Sequence, residues 1–236
     1  HESFDLESRE LARLLQRRLE AQADAVIAVA KLMELTERTR PAEFRSAVAP
    51  WLDRYAGTQN FGWSPYVTAE ERPGFEAAQR AAGRPDFAIL GRDTQGRTFP
   101  AEPAPGHLPI TLVEPLETNR SVVGLDVMVL PATSQAVQTT QISGRPEVTQ
   151  ALRLVQENRQ QRGVVMYHAV FHDETPEDPR RLKGVVSAVF RMDDVLQAAL
   201  GAVNPERLQL CLMDPQGRPG NQRLAGAEGC EGLQPG

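Results

Sequence analysis

The chain has 236 residues, 41% of them apolar, which suffices for one large domain or two small ones with a proper core and excludes disorder throughout. A net charge of −5, a pI near 5.5 and no basic cluster denser than "QRR" or "PRRLK" leave no phosphate-neutralising surface, so nucleic acid is excluded as a partner. Of the 26 basic residues only Lys31 and Lys183 are lysines, a bias that carries no functional information.

Residues 5 to 35 read as one helix, because Leu11, Leu15, Leu19, Ala23, Val26, Val29 and Met33 recur at steps of three or four without a Gly or Pro between them. Such a helix runs roughly 45 Å at the α-helical rise. It either packs on its own domain or forms a stalk that pairs with a second copy along the Leu11, Leu15, Leu19, Val26 stripe; the narrow, Ala-centred stripe favours the stalk. Pro41 ends it, and a shorter helix closes at Gly57.

Alternating elements follow. "NFGWSPYV" reads as a strand, "TAEERPGFEAAQRAAG" as a helix with Thr68 and Glu71 spaced as a capping box, and "DFAIL" as a strand. "HLPITLVEP" and "GLDVMVL" read as further strands, and "PATSQAVQTTQIS" as a helix opening on Pro131 and stopping at Gly144. "VTQALRLV", "GVVMYHAVF" and "LKGVVSAVF" are β-branched runs, "RMDDVLQAALGAV" is a short helix and "RLQLCLMD" a last strand. Antiparallel strands with helices on one side predict an α+β fold with no internal repeat.

Catalytic sets are sparse. His168 and His172 in "HAVFH" would lie about 13 Å apart on a strand, too far for one metal, and read as a strand-end surface pair. Asp193 and Asp194 diverge by about 100° on a helix and read as helix-capping groups. No glycine-rich nucleotide loop or nucleophile-elbow motif occurs, and no cofactor or metal set is expected. Cys211 and Cys230 lack zinc-ligand partners; a disulfide and two separate buried thiols both fit their spacing. No run approaches the ~18 apolar residues that span a bilayer. A chain opening on His1 rather than Met reads as an excised soluble piece, with His1 a remnant of a tag or cleavage site.

Asp126 stands apart, set inside the otherwise strand-like "VVGLDVMVL". A lone carboxylate on a sheet face costs several kcal/mol unless paired. Residue type alone favours an internal partner; the alternative is a pocket wall where ligand donors complete the pairing.

The order of segments from about residue 45 to 197 resembles the CHASE domain, the extracellular sensor of histidine kinases, nucleotide cyclases and diguanylate cyclases. The matching residues are Trp63 in a first strand, then Arg72, Phe75 and Glu76 on a helix, then Pro115, Asn119, Gly124 and Asp126. The resemblance implies a stalk helix at 1–37, a membrane-distal PAS-like ligand-binding lobe at 38–197 and a partial membrane-proximal PAS-like lobe at 198–236. It implies a homodimeric, membrane-anchored receptor on the periplasmic or extracellular face, whose full-length form is a histidine kinase or diguanylate cyclase. By similarity to the plant cytokinin receptors, Asp126 would accept hydrogen bonds from a small-molecule ligand. His107, Ile110, Val148, Leu154, Val185 and Ser187 would face the same cavity, narrowed by Ser187 and Ala188 where those receptors have glycines. The extracytoplasmic location it implies favours a Cys211–Cys230 bridge. Three functions remain in view: a small-molecule sensor, a ligand-free dimerisation or protein-interaction module, and, weakest, an enzyme. A cavity at Asp126 separates the first from the second, which should show a filled core and an exposed apolar patch.

Overall fold

The apolar residues that recur along the first helix meet the back of a sheet. A computed structural model of the chain describes residues 2–93, 95–129, 131–153, 162–173, 181–201, 210–218 and 220–230. Helix α1 (Glu2–Leu35) is followed by α2 (Pro41–Arg54), β1 (Thr58–Pro65), β2 (Val67–Thr68), α3 (Arg72–Ala81), β3 (Leu90–Arg92) and β4 (Thr98–Pro100). Next come β5 (Gly106–His107), β6 (Leu112–Glu114), α4 (Leu116–Asn119), a 3-10 turn (Arg120–Val122) and α5 (Pro131–Ser143). Strands β7 (Glu147–Val148), β8 (Leu152–Arg153), β9 (Arg162–Phe171) and β10 (Leu182–Arg191), then α6 (Met192–Leu200), β11 (Cys211–Met213) and β12 (Arg223–Gly226), complete the described chain. The fold is α+β, as expected. None of the described helices is long and apolar enough to cross a membrane.

The central sheet is antiparallel in the order β6-β1-β10-β9-β7, with β8 also pairing β9. Side chains alternate across it. Phe61, Trp63, Met166, Val186, Ala188 and Phe190 face one way and join Val26, Val29, Met33, Phe44 and Val48 of α1 and α2 in the main core. Val165, Tyr167, Ala169 and Val185 face the other way, with Leu108, Val127 and Val137. A third cluster, Val67, Phe87 and Ile89 against Phe75, seats α3. Thr68 and Glu71 make the expected reciprocal hydrogen bonds, Thr68 N–H to Glu71 Oε2 at 3.0 Å and Glu71 N–H to Thr68 Oγ1 at 3.3 Å, but they close the turn before α3, whose N-cap is Glu71 rather than Thr68.

Three expectations are corrected. The stripe expected to pair with a second copy is used inside the chain: Leu11 and Val26 are buried, and Leu15 and Leu19 pack on the main core. The opposite face of α1 carries Arg13, Arg17, Glu20, Asp24 and Lys31, all exposed, with Ile27 its apolar member at 41% exposure. Periodicity marks the buried stripe but not what covers it. "GLDVMVL" is not a strand: Leu125 and Asp126 each make one bridge, to Leu90 and Pro109, before the chain turns. Gly124 explains the break, since its φ is +87° and a Cβ there would sit 2.5 Å from Ala88 O. Asp193 does not cap its own helix; its Oδ1 accepts the Gly226 N–H at 3.1 Å, which ties the β11–β12 hairpin to α6. The "VTQALRLV" run holds only β7 and β8 within the described residues.

Cys211 and Cys230 form a disulfide with Cα atoms 5.6 Å apart. The hairpin it closes is anchored elsewhere too: Arg162 Nη1 donates to Arg223 O at 2.7 Å and Asn221 Nδ2 to Ala151 O at 2.8 Å. Ala225, Leu210, Leu212 and Leu224 pack on the main core, so these residues of the expected second lobe share the sheet's core, and the boundary expected at 197/198 falls within α6.

Two measurements check these assignments. Val26→Ala should lower unfolding free energy by about 2 kcal/mol, equally at dilute and concentrated protein, because the contact lies within one chain; Arg13→Ala should change it by under ~0.5 kcal/mol. The folded, unreduced protein should titrate no free thiol, and reduction should lower stability by about 3 kcal/mol, the entropy of reopening a loop of this length.

Candidate ligand cavity

The face of the sheet turned away from α1 is the floor of a cavity of about 220 Å³. Strand register defines it. Val113, Gly62, Ser187 and Tyr167 stand side by side across β6, β1, β10 and β9, and Asn60, Val189 and Val165 form the next row along. Space opens here because the middle of the first row is small: a Cβ on Gly62 would lie 2.7 Å from Ser187 Oγ. The roof is Ile110, the segment Leu125 to Val127, Val129 and Thr133 of α5, with Arg92 of β3 and Val122 of the 3-10 turn at the rim.

Backbone pairing sets the height of the roof, beside the packing of Val127 and Ile110 in the second core cluster. Asp126 N–H donates to Leu90 O at 2.9 Å and Val127 N–H to Leu108 O at 3.1 Å, so the segment is held from both sides. The Asp126 carboxylate turns inward, 6% exposed. Oδ1 accepts the backbone N–H groups of Leu108 at 3.1 Å and Met128 at 3.0 Å, and Oδ2 accepts His107 Nδ1–H at 2.8 Å. His107 Nε2 lies 3.4 Å from Arg72 Nη1, a donor, which fixes the tautomer with its proton on Nδ1. Arg72 also donates through Nη1 to Ala101 O at 2.9 Å and through Nε to Glu76 Oε1 at 3.1 Å, and Glu76 Oε1 accepts the Ile89 N–H at 3.0 Å. A continuous polar chain therefore runs from the cavity wall to α3 and the strand that carries Arg92.

The expected site residues separate into groups. Asp126, Ile110 and Ser187 line this cavity together. His107 does not; it is buried behind Asp126 as that residue's partner. Val185 is buried in the sheet core near the floor. Val148 sits at the sheet edge, 47% exposed, along a separate groove between α1 and α5. Leu154 lies outside the described residues. Ala188 points to the α1 side, so of the two residues expected to narrow the pocket only Ser187 does so.

Several lining residues escaped the sequence reading. Asn60 is held by its amide donating to Asn119 Oδ1 at 3.0 Å, and Asn119 Nδ2 in turn donates to Pro115 O at 2.7 Å. Burial pushes the Tyr167 hydroxyl up from its ordinary range, so it stays protonated at the cavity floor. Arg92 lies in a polar stretch with no periodicity to mark it. His168 is half-buried within β9 rather than at a strand end, and burial lowers its pKa. Among the described residues no group of three or more His, Cys, Asp or Glu could hold a metal ion.

Comparison with known proteins gives the family. No curated protein matches the chain. Among solved structures, an extracellular ligand binding receptor from Desulfohalobium retbaense is similar at 15% identity and a TM-score of 0.48, over 83% of this chain. This chain spans only 27% of that receptor. The ligand binding domain of the Pseudomonas aeruginosa amino acid chemoreceptor PctC, in complex with GABA, is similar at 14% identity and a TM-score of 0.47, over 89% of this chain and 70% of that one. A Campylobacter jejuni chemoreceptor ligand-binding domain in complex with L-norvaline gives 13% identity and a TM-score of 0.46, over 99% of this chain and 72% of that one. The CHASE domain family model matches residues 37–224, a span that takes in the sheet, the cavity and the Asp126 network, and the chain belongs to the CHASE domain family of extracytoplasmic sensor domains.

Proposed function

We propose that this domain senses a small molecule in the cavity beside Asp126, on the periplasmic or extracellular face of a membrane-anchored receptor. Occupancy is relayed through α1 of a homodimer to a cytoplasmic histidine kinase or diguanylate cyclase. The observation that carries the reading is the cavity itself, on the face of the sheet opposite the stalk. At about 220 Å³ it is below the ~300–1,000 Å³ of drug-sized sites, so the ligand is small. A ligand-free interaction module would be expected to fill this space.

The relay has a physical basis in one strand. Ser187 and Val189 of β10 face the cavity, while Val186, Ala188 and Phe190 between and beside them pack in the core shared with α1. At the start of the same strand Lys183 Nζ donates to Glu34 O at 3.0 Å and Thr36 O at 2.8 Å, pinning the C-terminal end of α1. A homodimer through the stalk would meet along the charged face of α1, since its apolar stripe is already covered. The chief part of Asp126 is to brace the roof: three of its roughly four acceptor positions are taken by internal partners, which leaves a ligand at most one.

Two outcomes are expected. In a thermal-shift screen of small organic molecules, compounds that stabilise the wild type should lose their effect on Ser187→Phe, which fills the floor. A compound that stabilises both equally would bind elsewhere. Asp126→Ala should lower the stability of the ligand-free protein by about 1–3 kcal/mol in urea unfolding, because Leu108 N–H, Met128 N–H and His107 lose their acceptor. Asp126→Asn should recover only part: its amide would force the His107 proton onto Nε2, facing the Arg72 donor. A ligand-free Asp126→Ala protein as stable as the wild type, with ligand response abolished, would make the residue a ligand acceptor first and a brace second.

A further inference from the structure

We propose that the ligand carries a single carboxylate on a small apolar body and that Arg92 is its counter-ion; the proposal rests on the sensor reading of the same cavity. Among the described residues that line the cavity, Arg92 is the one cation and Asp126 the one acid. They form no ion pair with each other: the Asp126 oxygens take the donors of His107, Leu108 and Met128, and Arg92 is not among them.

Arg92 is short of partners. A guanidinium has five N–H donors. Among the described residues the only side-chain hydrogen bond of Arg92 is a long one, Nη2 to Ser121 O at 3.4 Å. Its Nε is buried without an acceptor, and among the described residues no carboxylate lies within ion-pair distance. Burial lowers its pKa, yet a guanidinium stays charged under all ordinary conditions. An unpaired, partly desolvated cation at the rim of a cavity is the arrangement that an incoming anion relieves.

The rest of the wall narrows the class of anion. Ile110, Val113, Val122, Val165 and Val189 offer apolar contact and no second cation, so a phosphate dianion would be left undercompensated and poorly solvated. A planar carboxylate suits one guanidinium fork. A zwitterionic amino acid would bring three ammonium N–H donors, of which Asp126 could accept at most one. A small hydrophobic monocarboxylic acid fits both ends of the cavity.

The test is calorimetric titration of benzoate and 4-methylpentanoate, their primary amides, and leucine, against wild type, Arg92→Gln, Arg92→Lys and Ser187→Phe. The acids should bind the wild type at least ten-fold more tightly than their amides and than leucine. Arg92→Gln should reduce the acids to the affinity of the amides and leave the amides unchanged, Arg92→Lys should fall between, and Ser187→Phe should abolish both. The melting temperature of unliganded Arg92→Gln should match wild type, given how little the side chain holds. Amides that bind as well as acids, or acid affinity untouched by Arg92→Gln, would overturn the role of Arg92 while leaving the sensor reading intact, provided Ser187→Phe still blocks binding. Leucine binding most tightly would replace the monoacid with a zwitterion and overturn the class proposed. If neither acids nor amides bind and native mass spectrometry of the purified domain finds no small molecule, both readings fall together.

Discussion

The Asp126 carboxylate is the constraint on which the cavity depends. Nearly enclosed by protein, an unpaired charge at this point would cost several kcal/mol. The fold meets that cost with two backbone N–H groups and one imidazole, and each partner comes from a piece of chain that must be in place for the roof to exist. Leu108 and His107 fix the incoming segment, Met128 fixes the turn that follows, and His107 passes the constraint to Arg72 on α3. The family's motif residues are therefore largely scaffold: Gly124 permits the close approach to Ala88, Asn119 holds Asn60 at the floor, and Glu76 receives Ile89. They frame the cavity, and the side chains that give it chemical character stand between them.

That division explains why a cavity survives in a core that otherwise packs closely. A roof held by side-chain contact would sink onto the small residues Gly62 and Ser187. Here its height is set by hydrogen bonds from Leu90, Leu108 and Ile110 to the segment carrying Asp126. Changing a floor residue alters volume without undoing the roof, whereas changing Asp126 alters the roof before it alters any contact with a ligand.

The sequence revealed the parts governed by periodicity and local chemistry. The steps of three and four in α1, the β-branched runs of β9 and β10, the Thr68–Glu71 pair and the Pro131 start of α5 all follow rules that act within a few residues. Where tertiary partners decide, it misled or was silent. The α1 stripe looks the same whether a sheet or a second helix covers it. "GLDVMVL" has strand composition but is bent by Gly124 and by a carboxylate reaching its own backbone. Asp126 was recognisable as anomalous, yet its three donors lie up to 19 positions away in the chain and carry no local mark. Arg92 carries no mark in the sequence, because either arginine of "GRDTQGR" looks like part of a solvated loop until β3 is set beside the cavity. Ser187 and Ala188 show the reverse: alternation alone separates them, and only one of the pair can face a ligand.

The same alternation makes β10 a wall shared by the cavity and the core that seats α1. Its odd-numbered residues Ser187 and Val189 belong to the cavity and its even-numbered residues Val186, Ala188 and Phe190 to the core that seats α1. The two sets alternate along one strand, so a displacement of the cavity floor also displaces the surface on which α1 rests. Packed cores resist continuous deformation and pass between discrete arrangements instead. With Lys183 holding the end of α1 to the start of β10, displacement of the strand cannot be absorbed by slippage of the helix end alone. The motion open to the domain is therefore a movement of α1 together with the sheet, and under the proposed sensor function a difference in ligand affinity between the two arrangements would drive it.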